Sequence, residues 1–155
     1  MGIILTKAKE LDCSRIHDIQ IKAFSQLLAK YHDYETNPAS EELEDIHRRF
    51  FQDTTDYYLI SHNGIVVGML RVCNYGECCR ISPVAILPEY QGMGYGKQAV
   101  LGVERLYPKA QIWELDTIVQ EHELCRFYEK LGYRRTGRIE NIKVGMDLTF
   151  YEKHV

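Results

Sequence analysis

The chain reads as an α+β protein: a mixed, mostly antiparallel sheet of six to seven strands with about four helices against it. Three observations lead there. Asn63–Gly64 joins two apolar, β-branched runs, the strongest short-range hairpin signal. A third such run, "CCRISPVAIL", follows almost at once and makes a meander. Only then does a helical run, "GKQAVLGVERLY", lead to another strand, "AQIWELDTIV". One helical crossover after a meander implies parallel pairing there and antiparallel pairing elsewhere.

The elements follow in order. "GIILTKAK" is short and β-branched and opens the sheet. Ile16, Ile19, Ala23, Leu27 and Tyr31 recur at helical spacing, with Asp12 or Ser14 placed to cap the start. "ETNPAS" breaks the chain. "SEELEDIHRRFFQD" is a second helix with Ser40 as N-cap and acids in its first turn, where the helix dipole favours them. The hairpin comes next. Pro83 in the third meander strand cannot donate to a ladder, so an irregularity is expected there. The crossover helix ends near Pro108. "EHELCRFYEKLGY" is a short helix closed by Gly132. "YRRTGRI" and "VGMDLTFYEK" form two last strands around "ENIK".

The 155 residues make one domain, 1–155, 45% hydrophobic and 26% charged. The net charge of −3 lacks the basic excess of a nucleic-acid-binding surface. No run approaches the roughly 18 apolar residues of a membrane span, and the start lacks the apolar region of a signal peptide, so a cytoplasmic protein is expected. Five cysteines, an odd number, do not make a disulfide framework. Cys73, Cys78 and Cys79 form no C-x-x-C pair and the six histidines show no metal spacing, so no metal is expected and buried thiols are preferred over a zinc site. Cys78 or Cys79 as a nucleophile would need an activating His or Asp that the sequence does not place nearby.

The most informative stretch is "AILPEYQGMGYGKQAV", with Gly92, Gly94 and Gly96 at alternate positions. A P-loop requires G-x-x-x-x-G-K-[ST], but Gln98 follows Lys97 and Gln91 occupies the upstream glycine position. Gly94-x-Gly96-x-x-Ala99 fits a dinucleotide loop, and Asp116 lies 20 residues after Gly96. However, "PEYQGM" separates the glycines from the strand, and too little chain remains for a second βαβ half. The remaining reading is a pyrophosphate loop of another type, in which successive amides and a helix N-terminus close on an anion.

Gln91-x-x-Gly94-x-Gly96 resembles the Q/R-x-x-G-x-G/A signature of the GNAT superfamily of N-acetyltransferases. "LPEYQGMG" resembles the family's strand-to-loop passage, and "LCRFYEKLGY" its tyrosine helix. The resemblance is specific from about Val84 to Tyr133 and architectural before that. It implies a sheet splayed after the fourth strand and acetyl-CoA as acyl donor. Pantetheine would pair with the strand backbone at Val84, Ala85 and Ile86. Pyrophosphate would sit on the amides of Gly92, Met93, Gly94, Tyr95, Gly96 and Lys97, with a charge from Lys97 itself. The Ile86 amide would be the oxyanion donor. Tyr128 matches the tyrosine that protonates the leaving thiolate. Asp116 is the favoured general base, with Glu114 and Glu77 in reserve. Where many members carry an asparagine that contacts pantetheine, this chain has Glu121, an acceptor only when ionised; Gln120 or His122 are the substitutes.

The implied activity is direct acetyl transfer to a primary amine of a small molecule or peptide. A non-catalytic acyl-CoA-binding or regulatory module on the same fold is the alternative. Tyr31, His32, Tyr34 and Glu35, at the end of the first long helix, form an aromatic and acidic patch suited to an amine. No nucleic acid or membrane partner is expected, and a homodimer is common in this fold.

Overall fold

The computed structural model describes residues 2–155. Its strands are β1 (Ile4–Lys7), β2 (Thr55–His62), β3 (Ile65–Asn74), β4 (Cys78–Ile86), β5 (Ile112–Ile118), β6 (Arg134–Lys143) and β7 (Met146–His154). Its helices are α1 (Cys13–Tyr31), α2 (Leu43–Phe50), α3 (Tyr95–Glu104) and α4 (His122–Lys130). The strands form one seven-stranded sheet in the order β1-β2-β3-β4-β5-β7-β6. All neighbours are antiparallel except β4 and β5. Among the described residues no helix is long and apolar enough to cross a membrane.

Alternation along each strand sorts side chains onto two faces. On the back face, residues such as Ile60, Leu70, Ile81, Trp113 and Leu115 pack with Ala99, Val100 and Val103 of α3 and Cys125 of α4. On the front face, Tyr57, Leu59, Met69 and Ala85 pack with Ile16 and Ile19 of α1 and Ile46 of α2. The sheet is therefore a wall with a helix pair on each side.

The turn between β2 and β3 has Asn63 at φ 52° and Gly64 at φ 78°, the two positive angles that a twisted hairpin needs. The register between β3 and β4 slips where Ile81–Val84 faces Leu70–Val72, at the expected Pro83. Three expectations fail. Asp12 stands at the start of α1 but makes no side-chain cap there, its carboxylate accepting from Lys9 N–H at 2.8 Å. Ser40 does not cap α2. Its hydroxyl bonds the Tyr34 and Asn37 carbonyls in a 3-10 turn, and α2 starts later, where Glu42 N–H donates to the Asp45 carboxylate at 2.9 Å. "ENIK" is not a loop: β6 runs through it to Lys143, held by pairing with β7 that overrides its weak strand propensity.

Candidate active site

The functional geometry starts from a short pairing. β4 and β5 are in register only over Cys78–Arg80 and Ile112–Glu114, and then they part. Beyond that point one edge of β4 has no strand beside it. Leu87 N–H donates to Val67 O of β3 at 2.8 Å. Because backbone groups alternate direction along a strand, the amides of Ile86 and Val84 then point away from β3, into the gap. Ala85 turns its carbonyl towards β3, close above Gly68. Of the three predicted backbone contacts, Val84 and Ile86 present themselves to the gap and Ala85 faces the sheet.

The loop after β4 is built by its glycines in two ways. Gly92 (φ 79°) and Gly94 (φ 83°) take left-handed angles, and a Cβ on either would point into open space, so the loop is a cradle free of side chains. Gly96 is helical; a methyl there would lie 3.4 Å from the Phe127 ring of α4, so it permits close packing of α3 on α4. The amides of residues 92–97 donate to no backbone acceptor among the described residues, the first helical bond being Gln98 N to Gly94 O at 3.2 Å. Six free amides at a helix start fit an anion such as a pyrophosphate. The Gln91 side chain, named with the glycines as part of the cofactor site, donates from Nε2 to Ile86 O at 2.9 Å and ties the loop to the end of β4. The Tyr95 hydroxyl meets His62 Nδ1 at 3.0 Å, which anchors the loop to the β2 end. A cleft of about 420 Å³ between α3 and α4 is lined by Lys97, Glu123, Arg126, Phe127, Lys130 and Leu131. Its three cations against a single acid give it a net positive lining.

Tyr128 lies on the back face, packed against the same apolar cluster that Val84 and Ile86 border. Its ring stands edge-on to Phe127 (5.0 Å between centroids) and to Tyr133 (6.2 Å). Burial is the only influence on its phenol and pushes the pKa up to about 12. A phenol with no hydrogen-bond partner, held protonated, is suited to giving a proton.

Asp116 and Glu114 lie on the front face, as the alternation of "WELD" requires. The structure adds what the sequence lacked: Arg80, the last paired residue of β4, crosses the point where the strands part and ion-pairs with Asp116. As a base, Asp116 must be released from this guanidinium. Glu114 is the register partner of Arg80 and close to Cys78, while Glu77 sits at the start of β4, its carbonyl taken by the amides of Gln111 and Ile112. All five cysteines are free, and no group of three or more His, Cys, Asp or Glu side chains is arranged for a metal among the described residues.

Glu121 turns to α1 rather than to the gap. Its carboxylate accepts the Tyr31 hydroxyl at 2.5 Å and Lys30 Nζ at 2.6 Å. Burial pushes its carboxyl up, but the bonds from Lys30 and Tyr31 outweigh that and hold it below the ordinary range. Both bonds fall on Oε2, which leaves only Oε1 to accept a further contact. A depressed carboxyl contributes stability above its unfolded pKa of about 4.3, which is lost as pH falls through the lower folded value. Glu121→Gln should therefore lower Tm at pH 7 by about 1–3 °C and flatten the decline of Tm below about pH 4, readable by thermal denaturation.

The Acetyltransferase (GNAT) family model matches residues 5–133. Against curated protein sequences the chain has no significant match. Among solved structures, the ribosomal-protein-S18-alanine N-acetyltransferase from Escherichia coli superposes with a TM-score of 0.81 at 12% identity, covering 99% of this chain and 94% of that one. The PaiA N-acetyltransferase from Thermoplasma acidophilum, in complex with coenzyme A, gives 0.77 at 18% identity and covers 100% of both chains. Spermidine N-acetyltransferase from Vibrio cholerae, in complex with CoA and spermine, gives 0.77 at 13% identity over 99% and 95%. At these identities the likeness is one of fold.

Proposed function

Because the chain belongs to the GNAT acetyltransferase family, we propose that it is an acetyl-CoA-dependent N-acetyltransferase acting by direct transfer to a primary amine of a small molecule or peptide. The observation that carries this reading is the open edge of β4, with the Ile86 amide free in the gap and the unpartnered Tyr128 phenol on the same cluster.

Acetyl-CoA, when bound, supplies the acyl carbon as an activated thioester. The chain's own residues supply the rest. The amides of residues 92–97 hold the pyrophosphate, and Lys97, Arg126 and Lys130 offer charge at the nucleotide end. Val84 and Ile86 offer the backbone of an unfilled strand position, the β-augmentation mode. The Ile86 amide donates to the oxygen that gains negative charge, a contribution of roughly 3–4 kcal/mol for a preorganised donor. Tyr128 holds the proton for the departing sulfur from the back face. Asp116 takes the amine's proton from the front face, directly or through one water, once Arg80 releases it. Acid and base thus stand on opposite sides of the gap, so the amine enters from one face and the thiol is protonated from the other.

A free-thiol assay over a panel of amines tests the reading: thiol should appear in step with acetylated amine. Asp116→Asn should remove the acidic limb of the kcat/KM profile and lower kcat/KM about 10²-fold. An acidic limb identical to that of the parent protein would exclude Asp116 as the base. The non-catalytic reading draws on Glu121, whose carboxylate is committed to α1. Tight acetyl-CoA binding with no thiol release on any amine would favour it.

A further inference from the structure

The front face carries a row of side chains where β4 and β5 part. Tyr57 of β2 and Arg71 of β3 are direct cross-strand partners. Arg71 Nε donates to Ser82 O at 2.6 Å, at the irregular stretch of β4. Across the gap stands Asp116, whose partner on β7 is Phe150. Arg80 spans the gap to Asp116, and the Arg138 guanidinium lies 4.1 Å from the Phe150 ring centroid.

The charges in this row are not evenly matched. Asp116 is taken by Arg80, and Glu41, at the α1–α2 connection, by Arg49 and Gln20. Arg138 lies 3.7 Å from Glu140. Glu114 and Glu152 face each other one row deeper, where β5 and β7 continue beneath the fork. Arg71 has no carboxylate within 4.0 Å among the described residues and is only partly exposed. Beside it the Tyr57 hydroxyl is buried, with the residue 2% exposed; it lies close to Arg71 and to the Arg49–Glu41 pair and has no acceptor in hydrogen-bond geometry. Burial raises the Tyr57 phenol, so it remains a donor. A guanidinium without a counter-ion and a buried hydroxyl without an acceptor are both missing an anion.

We propose that the acceptor is a small amino acid-like zwitterion, whose carboxylate is held by Arg71 while its amine faces Asp116. The row is dipolar in that sense: cationic on β3, anionic on β5. A polycation finds little there, because Asp116 and Glu41 are already paired with Arg80 and Arg49 and the free charge beside them is the Arg71 guanidinium. The inference rests on the acetyl-transfer reading above and narrows its acceptor.

The experiment compares free amino acids with their carboxamides and with spermidine, by thiol release at saturating acetyl-CoA. At least one amino acid should exceed its carboxamide by about 10-fold or more in kcat/KM. Arg71→Gln should raise KM for that amino acid about 10- to 100-fold, the scale of a lost charge-assisted hydrogen bond, and should lower the acid-over-carboxamide preference by a similar factor. Arg71→Lys should recover part of the difference. The inference is overturned if spermidine or the carboxamides are preferred, if Arg71→Gln weakens acid and amide alike, or if no amino acid is acetylated by protein that binds acetyl-CoA in calorimetry. Failure to bind acetyl-CoA at all overturns the acetyl-transfer reading with it, and the calorimetry separates the two cases.

Discussion

Tyr128→Phe should lower turnover about 10²–10³-fold while acetyl-CoA affinity stays within about twofold. The variant keeps the ring that packs against Phe127, Tyr133 and Tyr151 and removes only the hydroxyl. That hydroxyl makes no bond that stabilises the fold, so phenylalanine costs little or raises Tm slightly. A packing tyrosine and an acid tyrosine therefore predict opposite outcomes. Packing alone leaves activity intact, whereas the acid role gives a stable, cofactor-binding, slow enzyme. The pH dependence gives a second reading. The folded pKa of about 12 exceeds the unfolded value of about 10. The folded protein then binds this proton more tightly, so its contribution to stability is full below pH 10 and falls as pH rises towards 12. The phenylalanine variant should lack that alkaline decline in denaturant unfolding. Unchanged turnover with amine at saturating acetyl-CoA would remove Tyr128 from the acid role.

What the sequence made legible was local. The Asn63–Gly64 turn, the glycine loop and the tyrosine helix each depend on a few neighbouring residues, and the structure places all three as read. The partners that tune the site are distant. Arg80 meets Asp116 across 36 positions, and Tyr31 meets Glu121 across 90. Nothing in either local pattern says which strand or helix will lie alongside. Asp116 was recognisable as a front-face carboxylate, but its ion pair depends on the point where β4 and β5 part. Glu121 stood out as a departure from the family pattern, and only the packing of α1 shows where its charge goes. Ser40 failed as a cap because Tyr34 and Asn37 offered its hydroxyl nearer acceptors. Gly68 was legible in principle, since an isolated glycine inside a strand pattern signals a close backbone approach.

Gly68→Ala should be the most damaging single methyl in the protein. A Cβ at this position would lie 2.2 Å from the Ala85 carbonyl oxygen and 2.9 Å from Ile86 Cδ1. The isoleucine tip can rotate away, but the carbonyl is backbone and cannot. Either β3 or β4 has to move, and this is the segment where β4 is held on one side only. Its anchor there includes the bond from Leu87 N–H to Val67 O. Shifting β4 turns the amides of Val84 and Ile86 out of the gap, so one methyl strikes both stability and the cofactor edge. Overpacking of this kind costs about 1–3 kcal/mol, which for a domain of this size lowers Tm by roughly 2–12 °C. Acetyl-CoA affinity should fall at least about 10-fold, measured on the folded fraction at low temperature. Gly102→Ala is the control, because a methyl there meets only the Leu5 Cδ1 side-chain tip at 3.3 Å. In the last turn of α3 it replaces a poor helix former and should leave Tm unchanged or raise it. If Gly68→Ala bound acetyl-CoA as tightly as Gly102→Ala, the open edge of β4 would not be where the cofactor pairs, and the assignment of Ile86 as the oxyanion donor would fall with it.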